Sequence, residues 1–135
     1  YPYTRSVGPV IGRFLAGLKE RRIEGIRAAD GRVLVPPLEY DPNTSDALDE
    51  FVEVGQAGTV TTWAWVPAPR RYHPLDRPFA WALVRLDGAD SDLLHAVDAG
   101  SESAMRTGMR VRARWRKETQ GEIKDIECFE PEEAE

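Results

Sequence analysis

With 135 residues, 41% of them hydrophobic and 30% charged, the chain has the size and composition of one soluble globular domain. Its 18 Lys and Arg against 23 Asp and Glu leave a net charge of −5, which argues against general nucleic-acid binding, whose footprint is basic. No apolar run approaches the ~18 residues that span a bilayer, no signal-peptide pattern opens the chain, and the one cysteine, Cys128, has no internal disulfide partner, so a cytoplasmic protein away from membranes is expected. The opening residue is Tyr1 rather than Met, as in a domain excised from a longer polypeptide or a trimmed chain.

Residues 1–8 read as an irregular lead-in. Pro9 suits the first helical position, where its missing N–H costs nothing. Val10, Ile11, Phe14, Leu15 and Leu18 then recur at helical spacing, predicting an amphipathic helix of about three turns. Gly12 and Gly17 weaken it while permitting close approach, either to its own domain or to a docking partner. Between Ile26 and Val33, Asp30-Gly31 reads as a tight hairpin turn, and Pro36-Pro37 ends its second strand. Residues 41–46 form a second turn cluster.

Two strand-like runs, 58–66 and 79–86, organise the rest, joined by a Pro- and Arg-rich connection over 67–78. Strict alternation places Val60, Ala64 and Val66 on one face of the first run, with Trp63 and Trp65 on the other. In the second run Ala82, Val84 and Leu86 oppose Phe79, Trp81 and Leu83. Both faces are apolar, so something beyond solvent must cover the outer one. A turn over 87–92, a strand over 93–97, a short helical turn within 99–108, an alternating strand over 109–117 and a last strand over 123–129 follow. An acidic tail ends the chain. Five uneven strands with a short helix or loop between the third and fourth point to a mainly β protein built on a Greek-key barrel of the OB type. An antiparallel sandwich is the alternative. The domain plan is lead-in and helix over 1–22, a hairpin segment over 23–50, the barrel over 51–130 and the tail over 131–135.

The sequence carries no recognisable catalytic constellation. A triad or thiol dyad needs a nucleophile oriented by a base, and Cys128 reads instead as a buried strand thiol. His95 reads as a packed strand histidine and His73 as a loop histidine beside Arg70, Arg71 and Arg77. Asp87, Asp90 and Asp92 lack calcium-loop spacing and read as a solvated turn. Arg110, Arg112, Arg114 and Arg116 share one face of their strand. That face could track a phosphate backbone; paired with Glu122, Asp125 and Glu127 of the next strand, it is an exposed salt-bridged face. In the proline-held loop, Arg70, Arg71, His73 and Arg77 suit a phosphorylated ligand or an acidic partner surface, the alternative being a merely solvated loop.

The order of these features resembles the acyl-CoA-associated OB-fold family, whose members pair a rubredoxin-like zinc ribbon with an OB barrel. The resemblance runs from about Val10 to Phe129 and rests on Gly58-Thr-Val60, on 78–86 and on Gly108-Met-Arg-Val111. Gly31, Pro36, Pro37 and Pro42 keep the frame of the ribbon, but Arg27–Asp30 and Asp41–Thr44 stand where that family has its two Cys-x-x-Cys pairs. The resemblance therefore implies a degenerate, metal-free ribbon and no zinc.

What the resemblance further implies is a non-catalytic accessory or scaffold domain. It would form a hetero-oligomer with a thiolase-superfamily, lipid-transfer-protein-like aldolase and support retro-aldol cleavage of a steroid side-chain acyl-CoA. Fusion or binding to a hot-dog-fold enoyl-CoA hydratase belongs to the same expectation. The chain would bind no cofactor of its own, though a CoA thioester shared with the partner could meet Arg70, Arg71, His73 and Arg77. The expected partner interface is Phe14, Leu18, Trp63, Trp65, Phe79 and Trp81, because aromatic-rich patches anchor interfaces. The alternatives are a single-stranded nucleic-acid-binding OB module, and a hydrolase or lyase using His73 with Asp76.

Overall fold

In the computed structural model, which describes residues 8–71 and 73–132, helix α1 spans Pro9–Lys19. Most of the predicted lead-in and the end of the acidic tail lie outside the described residues. Pro9 does open the helix, but Gly8 at the N-cap offers no side chain, and the helix is capped from a distance. A Glu39 carboxylate oxygen accepts from the Val10 and Ile11 amides at 3.2 and 3.1 Å, placing negative charge at the positive end of the helix. On the inner side, Phe14 and Leu18 are buried with the barrel residues, at 3% and 0% exposure.

Strands β1 (Glu24–Arg27), β2 (Val33–Leu34) and β3 (Phe51–Glu53) form a small sheet in the order β2-β1-β3. The hairpin turn falls where Asp30-Gly31 predicts it: Arg27 pairs with Val33, and Gly31 takes a φ of 92° that favours glycine. Residues 51–53 pair with β1 rather than entering the barrel. The ribbon-like sheet thus recruits a strand from beyond the 23–50 segment.

Asp41 stands at the start of the second knuckle and is 3% exposed. Its carboxylate accepts from the Asn43 and Thr44 amides at 2.7 and 3.0 Å and from the Ala29 amide of the first knuckle at 2.8 Å. One carboxylate thus joins the two loops. Those bonds hold its carboxyl below the usual carboxylate range, the Ala29 bond contributing most. The two loops carry no cysteine, and the Asp41 carboxylate is already occupied by three amides.

Five strands close into a barrel in the order β4-β5-β6-β8-β7: β4 (Ala57–Val66), β5 (Phe79–Leu86), β6 (Leu93–Val97), β7 (Arg110–Trp115) and β8 (Ile126–Pro131). A single 3-10 turn at Glu102–Ala104 stands between the third and fourth barrel strands. β6 and β8 run parallel and pair in register only at Val97 and Phe129, while the other barrel pairs are antiparallel. This is the OB-type barrel that the strand spacing predicts.

A β-bulge at Thr61 corrects the predicted faces of β4. Val60 pairs with Val84, but after the extra residue Thr62 pairs with Leu83 and Trp63 with Ala82. The bulge shifts the alternation by one residue. Trp63 and Trp65 therefore lie on the same side as Val60, half-buried against the main core opposite the small Ala82 and Ala80. Ala64 and Val66 turn outward, facing Trp81 and Phe79 across the pair. The Thr61 hydroxyl, 2.9 Å from Asp92 and 3.2 Å from the Leu83 carbonyl, holds the bend.

Candidate functional site: a cleft on the outer face of β5 and β6

Inside the barrel β5 presents Ala80, Ala82, Val84 and Leu86, all buried. Its outer face carries Phe79, Trp81 and Leu83, and the chain covers them unevenly. The 67–78 connection folds back over Phe79, which is fully buried against Leu75, Ala96 and Cys128. His73 packs edge-on against Phe79 and Trp81, with ring centroids 5.5 and 6.5 Å apart. Its Nδ1 accepts from the Arg70 amide at 2.9 Å, which tightens the loop. Trp81 and Leu83 remain half-buried, and Leu94, opposite Leu83 across the strand pair, is 59% exposed.

Beyond the cover a cleft of about 840 Å³ opens. Its walls are the connection between the first and second barrel strands (Arg71, His73, Pro74) and the connection between the fourth and fifth (Arg116, Ile123, Lys124). Trp81, Leu94 and His95 supply the floor. Asp125, 1% exposed, organises the second wall by accepting from the amides of Gln120, Gly121 and Glu122 at 2.8, 2.7 and 3.2 Å. Arg116 is held there by an Nε bond to the Lys124 carbonyl at 2.7 Å. The cleft lies where β6 and β8 part company after their single bridge.

His95 sits at that split, 7% exposed and edge-on to Phe129 at 5.5 Å. Its Nδ1 accepts from the Ala96 amide at 2.9 Å. Burial pulls its pKa below the ordinary histidine value, and hydrogen bonds to the Ile123 and Ile126 backbone only partly oppose that pull. A histidine with a depressed folded pKa stabilises the fold above its unfolded pKa, near 6.5, and that contribution is lost as pH falls through the folded value. The melting temperature is therefore expected to fall between about pH 7.5 and 5. A His95→Gln variant should lose much of that slope, measured by melting at fixed ionic strength; an unchanged slope would remove His95 as its source.

Three of the four ladder arginines are occupied, as the salt-bridged reading predicts, but largely by other acids. Arg110 pairs with Asp87 and Glu132 at 2.7 and 3.1 Å, Arg112 with Glu130 at 3.0 Å, and Arg114 with Asp98, Glu127 and Glu130 at 3.1–3.2 Å. Of the expected partners only Glu127 takes part, because Asp125 is committed to the backbone of its own loop. Asp87, Asp90 and Asp92 diverge to Arg110, the Val33 amide and Arg85, and so form no cation cluster. The Cys128 thiol is fully buried, and desolvation pushes its pKa up to about 12, so it is a packing group rather than a nucleophile.

The expected site residues separate accordingly. Arg70, Arg71, His73 and Arg77 gather around a smaller depression of about 400 Å³ that adjoins the cleft. Arg77 is committed to Asp98 at 2.6 Å, and Asp76 is nearly fully exposed with Arg77 at 3.5 Å. Phe14, Leu18 and Phe79 cannot offer an interface, since the chain itself covers them. Trp63 and Trp65 lie with the inner core rather than beside Trp81. Leu94, Ile123 and Lys124 were not among the expected site residues, and Arg116 entered the sequence reading only through the arginine ladder. Leu94 alone left a signal, as a large apolar residue out of phase with its buried neighbours.

This closed barrel, with a cleft bounded by the second and third strands and by two connections, is an OB fold. Residues 51–116 of the chain match the family model described as "ChsH2, C-terminal OB-fold domain". Its fold is similar to that of a chain in the solved structure described as "Ltp2-ChsH2(DUF35) aldolase", with a TM-score of 0.66 and 21% identity over 95% of this chain and 98% of that one. It also resembles a DUF35-family protein of unknown function from Sulfolobus solfataricus, with a TM-score of 0.64 and 24% identity over 79% of this chain and 77% of the other. No curated protein matches. Among the described residues no helix is long and apolar enough to cross a membrane.

Proposed function

We propose that this chain is a non-catalytic OB-fold partner domain of the DUF35 type that binds a thiolase-like aldolase and supports retro-aldol cleavage of a steroid-derived acyl-CoA. The observation that carries the reading is the likeness, over nearly the whole of both chains, to a component of a structure described as an aldolase. The match of residues 51–116 to the ChsH2 C-terminal OB-fold model supports it. So does an outer barrel face that is apolar and incompletely covered by its own chain. The neighbouring Arg70 and Arg71 suit contact with the anionic CoA of a shared substrate. Fusion to a hot-dog-fold hydratase is compatible with this role.

Co-expression with a thiolase-like aldolase from the same genome tests the reading. Co-elution, together with acyl-CoA cleavage that requires this chain, is the expected result. Failure to associate, and an aldolase fully active alone, would reject it. A second reading, single-stranded nucleic-acid binding, is favoured by the cleft's place on the usual OB ligand face. It predicts salt-dependent oligonucleotide binding by the isolated chain.

A further inference from the structure

We infer that the aldolase partner docks an acidic, amphipathic segment into a trough across the outer face of β5 and β6; this rests on the partner-domain reading above. Leu94 and Ile123, 59% and 41% exposed, line both the 840 Å³ cleft and a second depression of about 440 Å³. That second depression is bounded by Ile11 and Leu15 of α1, by Pro36 and by Leu83. The two hollows therefore form one apolar trough with Leu94 and Ile123 at its middle. Among the large apolar side chains that stand most exposed, these two lie together on one barrel face.

Charge states what covers the trough. At its cleft end stand Arg71, Arg116 and Lys124, none of which makes an ion pair among the described residues, whereas Arg110, Arg112 and Arg114 of β7 all do. The acids nearest the trough are engaged, Glu127 by Arg114 at 3.1 Å and Asp92 by Arg85 at 2.8 Å. In a chain of net charge −5, cations gathered without counter-charges beside exposed leucine and isoleucine fit a partner surface that is apolar along its length and acidic at one end. Strand addition is unavailable on β5, because both of its edges are already paired, with β4 and with β6. The segment docks through side chains, with apolar anchors over Leu83, Leu94 and Ile123 and carboxylates toward Arg71, Arg116 and Lys124.

The test titrates the purified chain against a co-expressed thiolase-like aldolase. Leu94→Asp and Ile123→Asp alter exposed side chains, so the melting temperature should hold while the Kd rises at least ~tenfold. Arg71→Glu with Lys124→Glu should weaken binding by a similar factor and flatten its salt dependence. If the wild-type chain binds and both sets of variants bind within about twofold of it, the trough is not the docking face, although the partner-domain reading survives. If the wild-type chain binds no aldolase, the partner reading fails and this assignment with it. Saturable binding of a single-stranded oligonucleotide that the same variants abolish would overturn the proposal in favour of a nucleic-acid face.

Discussion

Gly58→Ala is expected to lower stability by about 3 kcal/mol, the upper end for an overpacked core, and to lower the melting temperature by roughly 10 °C. Gly58 lies where β4 pairs with β5 on one side and β7 on the other, opposite Leu86 and Val111. A Cβ there would meet the Arg85 carbonyl oxygen and carbon and the Leu86 Cα, all of them backbone, with the carbon and the Cα both at 2.8 Å. No side-chain rotation relieves such contacts, so the β4–β5 ladder must part at the point that closes the barrel. Thr62→Ala, an exposed change on the same strand, is the control and should cost no more than about 0.5 kcal/mol. If the two variants melt together, the barrel is looser at its seam than these distances require.

Asp125→Ala should cost about 3 kcal/mol, since it strips three amides of a buried charged acceptor. Its consequence for function is larger than its share of stability. The same loop places Arg116, Ile123 and Lys124 along the cleft, and the Arg116 amide itself donates to the Asp125 carbonyl at 2.8 Å. Aldolase affinity is therefore expected to fall together with amide protection at Gln120, Gly121 and Glu122, read by hydrogen exchange. Asp125→Asn, which keeps an acceptor but not the charge, should lie between the two. Retained protection in the alanine variant would show that the wall is ordered by other contacts.

Phe14 and Trp81 show how far residue type alone carries an interface. Both are large aromatic residues on elements with an apolar face. Yet Phe14 is buried under the chain's own barrel while Trp81 stays half-exposed beside the cleft. A charged residue at position 14 would attack the core, not a partner contact. The difference lies in contacts between segments far apart in sequence, such as Glu39 on the α1 terminus, and these leave no periodic trace.

The barrel strand runs, the hairpin at Asp30-Gly31, the helix begun by Pro9 and the OB-type barrel class were legible in the sequence, because alternation, turn chemistry and spacing act over a few residues. Tertiary structure alone decided which apolar face stays open. One bulge residue, Thr61, moves Trp63 and Trp65 to the inside, and the 67–78 connection closes over Phe79 but stops short of Leu94. It also decided which cations keep their charge for a partner, because ion pairing depends on distances across strands rather than along them. Arg110 to Arg114 meet acids there, while Arg71, Arg116 and Lys124 face the cleft.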